Sequence, residues 1–149
     1  MKRLPMGAFF IYKRNRIFDA SIYSMFRFYK SFKYALNGVI LLARTERNFQ
    51  IILGCMVLTV LTGFGLDYFG QHLTRFEWAI LWLAIGLMLV SEGLNTALEK
   101  ALDTLHPDLH VGVGQSKDMA AGATFCASTV SIIVGLYILL PHIIAAFGV

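Results

Sequence analysis

Charge is what this chain has least of. Only 15% of its 149 residues are Asp, Glu, Lys or Arg, while 57% are hydrophobic and the mean hydropathy is +0.65. Soluble domains carry roughly 25% charged residues. A domain this small could not cover so much apolar surface with so few charges, which excludes a water-soluble globular fold and disorder alike. Cysteine is nearly absent. The two present, Cys55 and Cys126, lie inside apolar runs; they exclude a disulfide scaffold and read as packing residues. The histidines near Pro107 have no zinc-finger cysteines beside them. No GxxxxGK[ST] loop, no protein-kinase motif and no internal repeat is present, and no nucleic-acid partner is expected. What is left is a membrane protein.

The charges that do occur divide the chain. Asn48 to Leu66 is a run of 19 residues without one, Trp78 to Leu98 holds 21 with the single charge Glu92, and Met119 to Val149 holds 31 with none. A helix needs about 20 residues to cross the hydrocarbon core, and backbone groups in lipid must pair within the helix. Three spans are therefore expected, over about 48–67, 77–104 and 117–141. Gly63, Gly65, Asp67 and Gly70 mark the end of the first, and Thr74 with Glu77 forms a capping box for the second. Pro107, Gly112 and Gly114 break the chain before the third. The short stretch from Asp67 to Glu77 implies a helical hairpin.

Ten of the 13 Lys and Arg residues fall within the first 50, and the loop between the first two spans holds only Arg75. By the positive-inside rule the N-terminus is cytoplasmic and the protein multi-pass. Residues 1–20 form a basic leader whose apolar stretch, Gly7 to Tyr12, is too short for a signal peptide. Over residues 21–44, at 100° per residue, Arg27, Lys30, Lys33, Tyr34, Asn37 and Arg44 share an arc of about 120°. Met25, Phe28, Tyr29, Phe32, Leu36, Val39 and Ala43 lie opposite. Such a basic amphipathic helix belongs in the membrane interface, its cations toward lipid phosphates. The expected fold is all-α and integral to the membrane: three transmembrane helices plus an N-terminal interfacial amphipathic helix.

The end of the second span is unusual. Glu92, Asn95, Thr96, Glu99, Asp103 and His106 fall on one helical face of about 100°, with Leu94, Ala97, Leu98, Ala101 and Leu102 elsewhere. Stacked carboxylates repel, and each costs several kcal/mol to desolvate unpaired. The stripe needs cations, whether a divalent metal, protons or basic side chains; Lys100, Lys117 and Arg47 are the candidates for a purely structural role. Glu92 lies about 10 Å deeper than Glu99, toward the apolar core, where a carboxylate suits the part of a general base. Glu99 and Asp103, nearer water, suit Mg²⁺, a cation of hard-oxygen ligands. Glu46, at a depth similar to that of Glu99, could complete a two-carboxylate site. Ala120, Ala121, Gly122 and Ala123 offer the third helix as a close-packing wall for the stripe. A proton-coupled transporter or channel subunit using Glu92 and Glu99 as a relay is the alternative reading, although transporters more often place polar groups in several spans.

Three blocks together carry a family resemblance: Ala43-Arg44-Thr45-Glu46-Arg47-Asn48-Phe49-Gln50; Glu92-x-x-Asn95-Thr96-Ala97-Leu98-Glu99-x-x-x-Asp103; and Lys117-Asp118-x-Ala120-Ala121-Gly122-Ala123. In order and interval they resemble the hallmarks of the prokaryotic diacylglycerol kinase family, over about residues 27–140. The resemblance implies a lipid kinase domain over 21–149, embedded in the bacterial cytoplasmic (inner) membrane and assembled as a homotrimer. It also implies transfer of the γ-phosphate of Mg-ATP to a membrane lipid alcohol, undecaprenol or diacylglycerol. By the same resemblance Glu92 is the general base, and Glu46 and Glu99 are the Mg²⁺ ligands. Arg27, Tyr34, Glu46, Asn95, Glu99, Asp108, His110, Lys117 and Asp118 contact ATP, and Arg27, Ser31 and Glu92 meet the lipid. The block Ala43 to Gln50 and the ending Gly135 to Pro141 look closer to the undecaprenol kinase branch.

Overall fold

A computed structural model of the chain describes residues 6–108 and 110–148, with side chains from Met25 onward. The first five residues of the leader, Leu109 and Val149 lie outside the described residues. Four helices follow in order: α1 (Met6–Thr45), α2 (Arg47–Tyr68), α3 (Arg75–Leu105) and α4 (Val111–Phe147). Among the described residues there is no strand, and α2, α3 and α4 are each long and apolar enough to cross a membrane. The fold class is all-α and membrane-spanning. The chain divides into two compact units, Met1–Leu41 and Leu42–Val149. The first is helical from Met6 on, with every side chain from Met25 to Leu41 exposed. The second holds the last turn of α1 and the three spans.

Helix ends follow local chemistry. α1 and α2 are separated by Glu46 alone, whose backbone is extended at φ −106°, ψ 112°. Gln50 closes that break: its side-chain amide donates to the carbonyls of Ala43 (3.1 Å) and Arg44 (3.3 Å), two of the four acceptors that a helix leaves unpaired at its C-terminus. α2 stops at Phe69 with Gly70 at φ +74°, where Gly70 N–H donates to Asp67 O (3.1 Å) and Gln71 N–H to Leu66 O (3.0 Å). That paired arrangement is a Schellman motif, and its left-handed position favours glycine. Gly63 and Gly65, expected beside Gly70 as terminators, lie inside α2 instead. The capping box of α3 forms as expected: Thr74 Oγ1 accepts from Glu77 N–H at 3.2 Å, and Thr74 N–H donates to Glu77 Oε2 at 2.7 Å. Gly112 and Gly114 fall within α4, which starts at Val111 with His110 as its N-cap, Nδ1 accepting from Gly112 N–H at 3.1 Å.

α3 and α4 run antiparallel and form the main contact of the second unit, with α2 against both. Buried side chains on α4 recur every seven residues, Thr124, Ser131 and Ile138, the spacing of an antiparallel helix seam. Two of them are hydroxyls that cross to α3: Thr124 donates to Ser91 O at 3.2 Å and Ser131 to Ala84 O at 2.9 Å. The seam is bracketed by ion pairs, Lys117 with Asp103 at one end and His142 with Glu77 (3.0 Å) at the other. Leu66, Leu73, Leu81 and Ile138 form the buried apolar core, with Trp78 packed against it. That core lies at the Thr74 end of the bundle, away from the stripe.

α2 packs tightly against α3 at Gly63, where an added Cβ would stand 2.5 Å from Cη2 and 2.7 Å from Cζ2 of Trp78. The indole cannot simply swing aside, because it also stacks on Phe64 with ring centroids 5.2 Å apart. Gly63→Ala should therefore lower unfolding stability in detergent by about 1–3 kcal/mol, the usual cost of overpacking a filled site. Adding Trp78→Leu should recover part of that loss. An unchanged unfolding midpoint for Gly63→Ala would show that the α2–α3 contact is loose.

Candidate functional site

The helical period places Glu92, Thr96, Glu99 and Asp103 on one line of α3, and the α3–α4 seam decides their exposure. Glu92 is 6% exposed and Thr96 4%; Asn95 and Glu99 are half-buried, and Asp103 is exposed. Depth thus falls along the stripe toward the α3 C-terminus, as the spacing predicts. The wall of small residues is only partly as expected. Ala120 is half-buried, but Ala121, Gly122 and Ala123 face outward, and the buried residue opposite the stripe is Thr124. The heptad that faces α3 runs Lys117, Thr124, Ser131, Ile138, which leaves the centre of the small-residue run on another side of α4.

Three carboxylates near the Glu46 end have partners. Glu46 Oε1 accepts from Lys100 Nζ at 2.6 Å and from Thr45 Oγ1 at 2.7 Å. The Lys100 hydrogen bond, and after it that of Thr45, holds the Glu46 carboxyl below the ordinary carboxylate range. Glu99 Oε1 accepts from Asn95 Nδ2 at 3.2 Å, and Asp103 pairs with Lys117. Of the three cations named for a structural role, two therefore do pair with carboxylates, one of them with Glu46 rather than the stripe. Glu92 differs. It is buried in the α3–α4 region, and among the described residues it has neither a hydrogen bond nor an ion pair. Beside it, Asn95 Oδ1 is buried without a partner, which is uncommon for a polar atom.

A cation of hard-oxygen ligands fits this donor set. Among the described residues no three His, Cys, Asp or Glu side chains converge. Mg²⁺ commonly takes one or two protein carboxylates and completes its shell with phosphate and water, so two carboxylates would be enough protein ligands for it. Glu46, Glu99 and the orphaned Asn95 oxygen are the oxygens on hand. One turn deeper than Glu92 begins an apolar cavity of about 430 Å³, lined by α2, α3 and α4. Its α3 wall is Leu81, Ala84, Ile85 and Met88, and Leu81, Ile85 and Met88 share the face that ends in Glu92.

The other expected site residues are less convergent. Asp108 is exposed in the α3–α4 connection, His110 is exposed and committed to capping α4, and Asp118 is exposed on the first turns of α4. Arg27, Ser31 and Tyr34 are exposed on α1 with spacing i, i+4, i+7, hence on one face of that helix within the first unit. Two contributors escaped the reading of the sequence. Thr124 anchors the backbone at Ser91, next to Glu92, and its signal was the seven-residue recurrence of small polar residues on α4. Gln50 fixes the break that carries Glu46, a contact for which no local pattern exists.

Residues 33–139 match the prokaryotic diacylglycerol kinase family. The chain is 39% identical over 117 residues to an undecaprenol kinase of Bacillus subtilis, an alignment that covers 78% of this chain and 91% of the relative. It is 36% identical over 118 residues to a diacylglycerol kinase of Synechocystis, covering 77% of this chain and 63% of the relative. No solved structure matches significantly. With most of its length matched by the family model and by these relatives, the chain belongs to the prokaryotic diacylglycerol kinase family of lipid kinases.

Proposed function

We propose that this chain transfers the γ-phosphate of ATP to the hydroxyl of a membrane lipid alcohol at the cytoplasmic face of the bacterial inner membrane, with undecaprenol favoured over diacylglycerol. The observation that carries the assignment is the contrast between Glu92, buried and unpartnered, and the partnered carboxylates Glu46, Glu99 and Asp103. A carboxylate without a donor or cation can accept a proton from an alcohol that reaches it, whereas a paired one has that capacity already engaged. The preference for undecaprenol rests on the larger share of the Bacillus subtilis relative that aligns, 91% against 63%, and on the block Ala43 to Gln50.

In the proposed reaction the lipid hydroxyl gives its proton to Glu92 while its oxygen attacks the γ-phosphorus, and the bond to the ADP oxygen breaks. The apolar cavity on the Glu92 face of α3 receives the hydrocarbon chain next to the head group. Mg²⁺, when bound with ATP, neutralises charge on the phosphates; Glu46 and Glu99 hold it, with Asn95 fixing Glu99. Lys117, Asp118, Asp108 and His110 bound the nucleotide near the water-exposed end of the stripe. Arg27, Ser31 and Tyr34, on one exposed face of α1, are proposed on the family resemblance alone as further residues for nucleotide and lipid. The density of Lys and Arg before Arg47 sets this end toward the cytoplasm. Three spans offer one protomer little surface to enclose a charged stripe, which supports a homotrimer in which neighbouring chains complete each site. A proton relay has no comparable support from the relatives.

Glu92→Gln should leave folding, assembly and Mg-ATP binding largely intact and reduce phosphoryl transfer by about 10²–10⁴-fold, the usual contribution of general-base catalysis. The assay is transfer of labelled γ-phosphate to undecaprenol or diacylglycerol, run side by side in mixed micelles. Turnover near wild type would remove Glu92 from the chemistry. Glu46→Ala and Glu99→Ala should each raise the Mg²⁺ concentration needed for half-maximal activity, and the double variant should be little worse than either, because ligands of one ion act as a unit. Additive losses with unchanged metal dependence would separate them. Finally, co-assembling inactive Glu92→Gln with inactive Glu99→Ala protomers should restore some activity if one site draws on two chains. Mixed oligomers, verified by crosslinking, that stay inactive would place each site within a single chain.

A further inference from the structure

Lys100 follows Glu99 directly and so points about 100° around α3 from it, off the line of the stripe. Its ammonium reaches instead to the α1–α2 break, where it donates to Glu46 Oε1 at 2.6 Å, the same oxygen that accepts from Thr45 Oγ1 at 2.7 Å. The Lys100 side chain is 54% exposed and that of Glu46 24%. This contact joins α2 to α3 at the end where the carboxylates gather, and it has no evident packing purpose, since the lysine stem is largely in the open.

We propose that Lys100 is a built-in cation that occupies Glu46 until metal and nucleotide arrive together, and thereby sets the metal requirement of the enzyme. The inference rests on the reading of Glu46 as a metal ligand. A divalent ion binds a carboxylate oxygen at about 2.0–2.1 Å, and an ammonium already donating to that oxygen both shields its charge and repels the incoming ion. Metal at Oε1 has to displace Lys100, and metal at Oε2 meets a carboxylate whose charge the ammonium already offsets. Free Mg²⁺ gains only Glu46 and Glu99 in that exchange, whereas metal carried by ATP brings phosphate ligands that stay coordinated throughout. The lysine thus disfavours loading by metal alone and couples loading to the nucleotide. In its absence Glu46 would keep the Thr45 hydroxyl but have no cation to offset its charge, and would be open to any divalent cation.

The test measures Mn²⁺ binding to the detergent-solubilised, full-length protein without nucleotide, from the loss of the free Mn²⁺ electron paramagnetic resonance signal. Lys100→Met keeps the length and apolar stem of the side chain and removes the charge. It should bind Mn²⁺ about two- to fivefold more tightly than wild type, the worth of an exposed ion pair, while Lys100→Arg should stay near wild type. With a non-hydrolysable ATP analogue present, the gap between wild type and Lys100→Met should narrow. Glu46→Ala is the control for the underlying reading, and in the Lys100→Met background it should abolish the gain. If Lys100→Met binds Mn²⁺ no more tightly than wild type while Glu46→Ala weakens binding, Glu46 remains a ligand and the gating role of Lys100 is overturned. If Glu46→Ala changes Mn²⁺ affinity in neither background, Glu46 is no ligand and the proposal fails with that reading.

Discussion

Everything in the membrane-spanning unit depends on the antiparallel register of α3 against α4. Lys117 meets Asp103, Thr124 meets the Ser91 carbonyl, Ser131 meets the Ala84 carbonyl and His142 meets Glu77. Residue numbers rise along one helix as they fall along the other, so these four contacts fix one alignment over the length of both helices. In lipid the apolar side chains gain little by choosing a protein neighbour over an acyl chain, and close packing and hydrogen bonds must supply the preference. Hydroxyls at a seven-residue spacing do so at modest energy, about 0.6 kcal/mol per interhelical bond on average. Their larger effect is on register. A slip of one residue would strand Thr124 and Ser131 among apolar groups and would turn Glu92 away from the seam.

That register explains how one helix carries carboxylates with different tasks. Glu92 sits where α3 is covered, so it is desolvated. Asp103 lies beyond the cover and stays wet, and Glu99 is between them. Phosphoryl transfer asks for this gradient, because its acceptor alcohol is buried in lipid and its donor is dissolved in water. In the proposed reaction both would meet at one helix end without a dedicated phosphate loop. Most of the work left is positioning, done by Asn95 on Glu99, by Thr124 on the backbone beside Glu92, and by Gln50 on the break that carries Glu46.

Much of this was legible in the sequence. The three spans appear as runs with at most one charge because lipid tolerates few charges, and the capping box of α3 appears because Thr74 and Glu77 are near neighbours whose contact is local. The stripe appears because 3.6 residues per turn brings Glu92, Thr96, Glu99 and Asp103 together without any knowledge of the fold. What stayed hidden are contacts between residues far apart in the chain. Lys100 stands 54 positions from Glu46, and nothing local to either residue announces the other. The break at Glu46 contains neither proline nor glycine, so no residue type marks it. The glycines misled for a related reason: Gly63 reads as a terminator by type, yet it is there to admit the Trp78 ring.

The two ends of the bundle divide stability and exchange between them. At the Thr74 end the apolar core of Leu66, Leu73, Leu81 and Ile138 is closed by a Schellman turn, a capping box and the Glu77–His142 pair. None of these contacts can be given up without opening helix ends or burying an unpaired group. At the Glu46 end the helices are tied by side-chain ion pairs, Lys100–Glu46 and Lys117–Asp103, in which at least one partner is exposed. Exposed pairs contribute about 0–1 kcal/mol each, so a ligand that offers better partners can replace them while the Thr74 end keeps its packing. A site that must admit a highly charged nucleotide, release it and begin again is better built from such contacts than from a closed core. The carboxylates gather at the end of the bundle that can be rearranged, and the core is kept at the end that cannot.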